Sequence, residues 1–169
     1  MTLADLPDDA RLWVFAAARP LKPAEVETLV SAVDRHVRGW LAHGHPVVGA
    51  HELRYDQFLL VAADERATGV SGCSIDGLFH VLQRVQSDLG IRLLDSTSVW
   101  FRDGDGEIRS VSRADFRGKV QAAEVGPETL VFNNTVTRVG ELRQGRWETP
   151  LRESWHARAF RLPAATLGQ

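Results

Sequence analysis

Apolar positions along this chain follow two rhythms. Unbroken runs occupy Arg11 to Ala18 (RLWVFAAA) and Gln57 to Ala63 (QFLLVAA), whereas from Pro23 to Leu41 and from Ile75 to Leu89 apolar residues recur at steps of three and four. The first run, ended by Arg19-Pro20, predicts a buried strand, because proline cannot donate to a ladder. Pro23 at a first-turn position, with Glu25 and Glu27 near the positive end, predicts a helix carrying Val26, Leu29, Val30, Val33, Val37, Trp40 and Leu41 on its apolar face, broken by Gly44 and Pro46. Val47 to Arg54 and Gln57 to Ala63 read as a hairpin turning at Tyr55-Asp56, and the second of these strands, apolar on both faces, belongs in the middle of a sheet. Ile75, Leu78, Phe79, Leu82, Val85 and Leu89 predict a second helix that Gly90 closes.

Ser98 to Arg102 reads as a fourth strand, stopped by the turn residues Asp103-Gly104-Asp105-Gly106 before Glu107 to Val111 returns. Strand, helix, strand, strand, helix, strand is the ferredoxin-like order, and the expected fold is α+β with a ferredoxin-like βαββαβ core over about residues 11–103. Beyond it, Ser112 with an acid three residues later predicts a capped helix running to Gly126-Pro127, followed by a strand at Thr129 to Phe132. Asn133 to Phe160 is turn-rich. The whole chain, 1–169, is expected to be one domain, with 104–162 a helix-and-strand extension packed on the core and fraying at Met1 to Asp9 and Pro163 to Gln169.

Composition narrows the function classes. With 44 % hydrophobic and 25 % charged residues the chain is an ordinary globular protein. Twenty Lys plus Arg against 22 Asp plus Glu leave no positive excess to neutralise phosphates, so nucleic acid is not an expected partner. No apolar run approaches the ~18 residues of a membrane span, and the start Met1-Thr2-Leu3-Ala4-Asp5 lacks a secretion signal. One cysteine allows no internal disulfide, and a cytoplasmic location is expected. Neither a Walker-type phosphate loop nor a dinucleotide-binding glycine motif occurs, so no cofactor and no ATPase activity is expected.

In the ferredoxin-like topology the His43-Gly44-His45-Pro46 turn shares an end of the sheet with the start of the second helix, which carries the only thiol, Cys73. A helix start stabilises a thiolate, the nucleophilic form, while the Asp76 charge opposes it unless that carboxylate reaches back to a capping N–H. Against reactivity stands the rule that free cysteines are mostly buried and inert. His43, His45 and Cys73 could also hold zinc, but the spacing lacks the paired ligands of structural sites and no metal is assigned. Near the C-terminus Ser154-Trp155-His156-Ala157-Arg158 gathers an aromatic ring, an imidazole and a guanidinium, groups suited to anions and carbonyls. Its plain alternative is a strand with Trp155 on the core and His156 and Arg158 facing outward. Asn133 and Asn134 could orient a substrate or a histidine, or simply form a turn.

Trp40-x-x-His43-Gly44-x-Pro46, Arg54-Tyr55-x-x-Phe58, Ser71-Gly72-Cys73-Ser74-Ile75-Asp76, Val131-Phe132-Asn133-Asn134 and Ser154-Trp155-His156-Ala157-Arg158 together resemble a family of small bacterial proteins often labelled "ABC transporter ATPase". The resemblance covers nearly the whole chain and implies no established activity. Its ATPase label conflicts with the missing phosphate loop. A fainter likeness joins Val111 to Trp155 to small GYF-type segments, without their aromatic peptide-binding signature.

Two readings follow. In one, the chain binds an unidentified small molecule or protein partner around the Cys73 helix start, using Ser71, Ser74, Asp76, Arg54, Asn134, Trp155, His156 and Arg158. In the other it is a thiol-dependent hydrolase or transferase, with Cys73 as nucleophile, His43 or His156 as base and Asn133 or Asn134 as orienter.

Overall fold

A computed structural model describes residues 1–66 and 72–163, with the side chains of 72–74 outside the description. In chain order its elements are β1 (Arg11–Ala16), α1 (Pro23–Arg38), β2 (Leu41–Ala42), β3 (His45–Pro46), β4 (Val48–Arg54), β5 (Phe58–Asp64), α2 (Gly72–Leu89), β6 (Val99–Arg102), β7 (Ile108–Val111), α3 (Arg113–Gln121), β8 (Leu130–Phe132), α4 (Val139–Arg143), β9 (Glu148–Pro150) and α5 (His156–Ala159). Mixed helices and antiparallel sheets make this an α+β protein. The chain divides into two compact units, Met1–Asp95 with Thr135–Arg143, and Ser96–Asn134 with Gln144–Gln169. Among the described residues no helix is long and apolar enough to cross a membrane.

The first unit is built on a three-stranded antiparallel sheet in the order β1-β5-β4. β5 holds the centre, with Phe58 to Ala63 all buried, as an apolar run without alternation requires. α1 and α2 pack together, and Leu29, Val33 and Val37 of α1 share a core with Leu78, Leu82 and Val85 of α2 and with Leu59, Val61 and Ala63 of β5. The β4–β5 hairpin turns at Tyr55 and Asp56, both left-handed at φ 55° and 51°, with the Gln57 amide donating to the Arg54 carbonyl. Paired left-handed residues match the twist of the flanking strands.

Two expectations fail in this unit. The predicted fourth strand, β6, does not join the sheet of β1, β4 and β5, so residues 11–103 do not form the four-stranded ferredoxin-like core. The Asp103 to Gly106 turn instead closes β6 on β7, Phe101 facing Arg109, while the β1 border is taken by residues 137–138, where Leu12 donates to the Thr137 carbonyl. Nor does the N-terminus fray. Leu3 and Leu6 are buried, Arg143 ion-pairs with Asp8 and donates to the carbonyls of Ala4 and Leu6, and Gly140 approaches Asp8 so closely that a Cβ would lie 3.0 Å from Asp8 Cβ.

The second unit is a four-stranded antiparallel sheet in the order β7-β6-β8-β9. Its core is aromatic: Phe116 of α3 lies edge-on to Phe101 and Phe160, with centroids 5.4 and 4.9 Å away. Ser112 caps α3, its hydroxyl accepting from the Asp115 amide at 3.0 Å, as its sequence predicts. The helix ends earlier than Gly126-Pro127 suggests. Ala123 adopts a left-handed φ of 56°, its amide donating to the Val120 carbonyl and that of Glu124 to the Lys119 carbonyl, the double bond pattern that terminates a helix.

Candidate functional site

The sequence-derived site residues divide between the two units. Cys73, His43, Arg54, Ser71, Ser74 and Asp76 belong to the first, and Asn133, Asn134, Trp155, His156 and Arg158 to the second. Ser71 and the side chains of Cys73 and Ser74 lie outside the described residues.

In the first unit His43 and Gly44 are both left-handed, φ 51° and 79°, and form the two-residue loop between β2 and β3. His43 and His45 are exposed there. Arg54 donates from Nε to Glu52 Oε1 at 2.6 Å, and Asp76 is exposed on α2. Among the described residues no three His, Cys, Asp or Glu side chains group as metal ligands.

The histidine that packs on α2 is one the sequence reading passed over. His36 of α1 lies against Gly77, where a Cβ would meet its Cε1 at 3.1 Å. Gly77 is one helical turn after Cys73. Burial holds the His36 imidazole below its ordinary pKa. Its Nε2 is buried without a partner, as is the indole Nε1 of Trp40, whose ring centroid is 5.4 Å away. The spacing of four between His36, near the end of α1, and Trp40, just beyond its cap, was the available signal.

In the second unit both asparagines bond to Trp147. Asn134 Oδ1 accepts from Trp147 Nε1 at 2.9 Å, and the Asn133 amide donates to the Trp147 carbonyl at 2.7 Å. The Ser154 to Arg158 segment is not a strand. It is a short helical turn, so His156 points inward at 2 % exposure instead of alternating outward, and Trp155 is the half-buried member. Trp155 stacks on His156 with centroids 3.9 Å apart and carries the Arg113 guanidinium 5.5 Å from its ring centre. His156 Nδ1 lies 2.7 Å from Ser154 Oγ. Burial, with the Arg113 charge adding to it, pushes the His156 imidazole down to about 4, so the ring is neutral at pH 7 and a weak base.

A recess of about 530 Å³ opens beside this turn. Arg152, Arg158 and Arg161 supply its exposed members, and Ser154, Trp155, Ala157 and Leu162 its more buried ones. Arg152 is neutralised by Glu128 at 2.9 Å and Glu153 at 3.2 Å, whereas Arg158 and Arg161 form no ion pair among the described residues. A larger recess, about 740 Å³, lies across β6, β7 and β8, but its charges are matched: Asp103 with Arg109 at 2.7 Å, Lys119 with Glu124 at 3.2 Å. Volume therefore does not locate the chemistry. The smaller recess carries uncompensated charge. Arg152 and Arg161 escaped the sequence reading, although five arginines between Glu141 and Arg161 are a visible local excess. No protein-family model, curated protein or solved structure matches this chain.

Proposed function

We propose that this protein is a binding module whose second unit receives an anionic group in the recess beside Trp155, His156 and Arg158. The observation that carries this reading is the pair Arg158 and Arg161, two guanidiniums at a concave surface that form no ion pair among the described residues. Such donors favour carboxylate or phosphate oxygens, and the neutral His156 ring contributes shape and stacking instead of charge. Calorimetric titration with sodium acetate and inorganic phosphate tests this reading. Binding should weaken with salt and drop at least about tenfold in Arg158→Ala, the size expected for one charge-assisted contact. An unchanged affinity in that variant would remove the site.

A second reading has one observation in its favour. His36, neutral and packed one helical turn from Cys73 on α2, supports a thiol-dependent hydrolase or transferase in which His36, in place of His43 or His156, is the base. Iodoacetamide labelling of native Cys73 across pH distinguishes it: the wild type should label well below pH 8 and His36→Gln should not.

A further inference from the structure

Resting on the anion-binding reading above, we infer that the recess of the second unit takes an aliphatic monocarboxylate, a single carboxylate carried on a flexible hydrocarbon chain. Charge sets the first limit. With Arg152 already held by Glu128 and Glu153, and His156 uncharged, the recess offers two guanidiniums, Arg158 and Arg161, that form no ion pair among the described residues. One planar fork matches one carboxylate through two parallel hydrogen bonds. A dianionic phosphate is also favoured by the summed dipole of a longer helix, and α5, four residues long, is too short to supply one.

The lining sets the second limit. Behind the arginines the recess is formed by Trp155, Ala157 and Leu162, with Ser154 as its one hydroxyl. That hydroxyl is already hydrogen-bonded to His156 Nδ1 at 2.7 Å. A ligand with many polar groups would lose its water there without finding partners, which penalises sugars and polyols. The ligand body is therefore apolar. It is also not a stacking ring, because the Trp155 ring is engaged by His156 at 3.9 Å and by the Arg113 guanidinium at 5.5 Å. An aliphatic chain needs contact area alone. At about 530 Å³ the recess falls within the usual range, ~300–1,000 Å³, of small-molecule sites.

The test is calorimetric titration of the whole chain with acetate, butanoate, hexanoate and octanoate, together with octan-1-ol and inorganic phosphate. Affinity should rise up to about fourfold per added methylene, the factor expected when each is buried. Octan-1-ol should bind at least about tenfold more weakly than octanoate, and Arg158→Ala should weaken every carboxylate by at least that factor. Arg35→Ala, an exposed position of α1 in the first unit, should change nothing. A flat chain-length series, with acetate and phosphate binding equally, would overturn the aliphatic class while leaving the anion site standing. Octan-1-ol matching octanoate would overturn the carboxylate requirement. Silence from every anion would overturn both this inference and the reading beneath it.

Discussion

The first unit packs mostly aliphatic side chains, with Phe15 and Trp40 among them, whereas the second centres its core on a cluster of rings around Phe116. Leu29, Val33, Leu78 and Leu82 let two long helices lie together against β5, a strand buried on both faces. In the second unit a nine-residue and a four-residue helix suffice, because Phe101, Phe116, Phe160, Trp155 and His156 cover more area per residue. Rings also bring polar edges and attract cations. Arg113 sits over Trp155, Arg117 over Phe160 and Lys119 over Phe101. Both units place a desolvated histidine against tryptophan, His36 with Trp40 and His156 with Trp155. His36 shares a recess with Arg35, Arg84 and Asp88, while in the second unit the pair lies beside Arg158 and Arg161, which form no ion pair among the described residues. Aromatic packing thus does two jobs there, holding short helices and concentrating uncompensated charge.

The sharpest way to break this contrast is to remove the ring on which the second core converges. Phe116, fully buried, touches Phe101, Phe160 and His156. Phe116→Ala should cost about 3–5 kcal/mol in urea unfolding followed by tryptophan fluorescence. A loss below about 1 kcal/mol would mean that the aromatic cluster is not what holds this unit.

Next in size is the pH response of the two histidines. His156 has an ordinary value of 6.5 and is pushed down to about 4 in the folded protein, so acid protonates the unfolded chain first. Its stabilising contribution is complete above pH 6.5 and is lost as pH falls from 6.5 toward 4, by roughly 3 kcal/mol at about 1.4 kcal/mol per unit. His36 shifts in the same direction through burial alone and adds to the loss below its ordinary 6.5. Carboxylates act lower. Glu25, held down to about 2 by the Arg19 guanidinium and the Lys22 amide, supports the fold above its ordinary 4.5 and loses that support as pH drops from there toward 2. Urea midpoints measured from pH 7 to 4.5 should therefore fall, and His156→Gln should flatten most of the slope. An equally steep slope in that variant would place the titrating group elsewhere.

How legible these features were depended on the range of the interaction. Periodicity at Pro23 to Val37 and Ile75 to Leu89 marked both long helices, and the apolar run at Phe58 to Ala63 marked the central strand, because burial writes itself into local spacing. Sheet membership was not legible. Whether Val99 to Arg102 pairs with Arg11 to Ala16 or with Ile108 to Val111 depends on which partner reaches β1, and residues 137–138 occupy that border from more than a hundred positions away. The candidate site fared similarly. The Ser154 to Arg158 word was conspicuous, but reading it as alternating sent His156 outward, when a helical turn buries it at 2 % exposure. His36 was hidden because its role depends on contact with Gly77 on another helix.

Helix ends provide the smallest and cleanest comparison. Ser112→Ala removes the hydroxyl that accepts from the Asp115 amide and should cost about 1 kcal/mol. At the opposite ends, α2 of the first unit closes on Gly90 at φ 64°, a residue free to adopt that conformation, whereas α3 of the second closes on Ala123 at φ 56°, where a Cβ crowds the backbone. The hydrogen bonds from Ala123 and Glu124 to Val120 and Lys119 need only the backbone, so glycine can keep them. Ala123→Gly relieves the crowding but gives the unfolded chain more freedom, and the two effects differ by a fraction of their size. The expected outcome is a gain of up to about 1 kcal/mol in urea unfolding, with Gly90→Ala losing a similar amount. Should Ala123→Gly instead destabilise, the left-handed termination of α3 would not be the conformation the helix holds in solution.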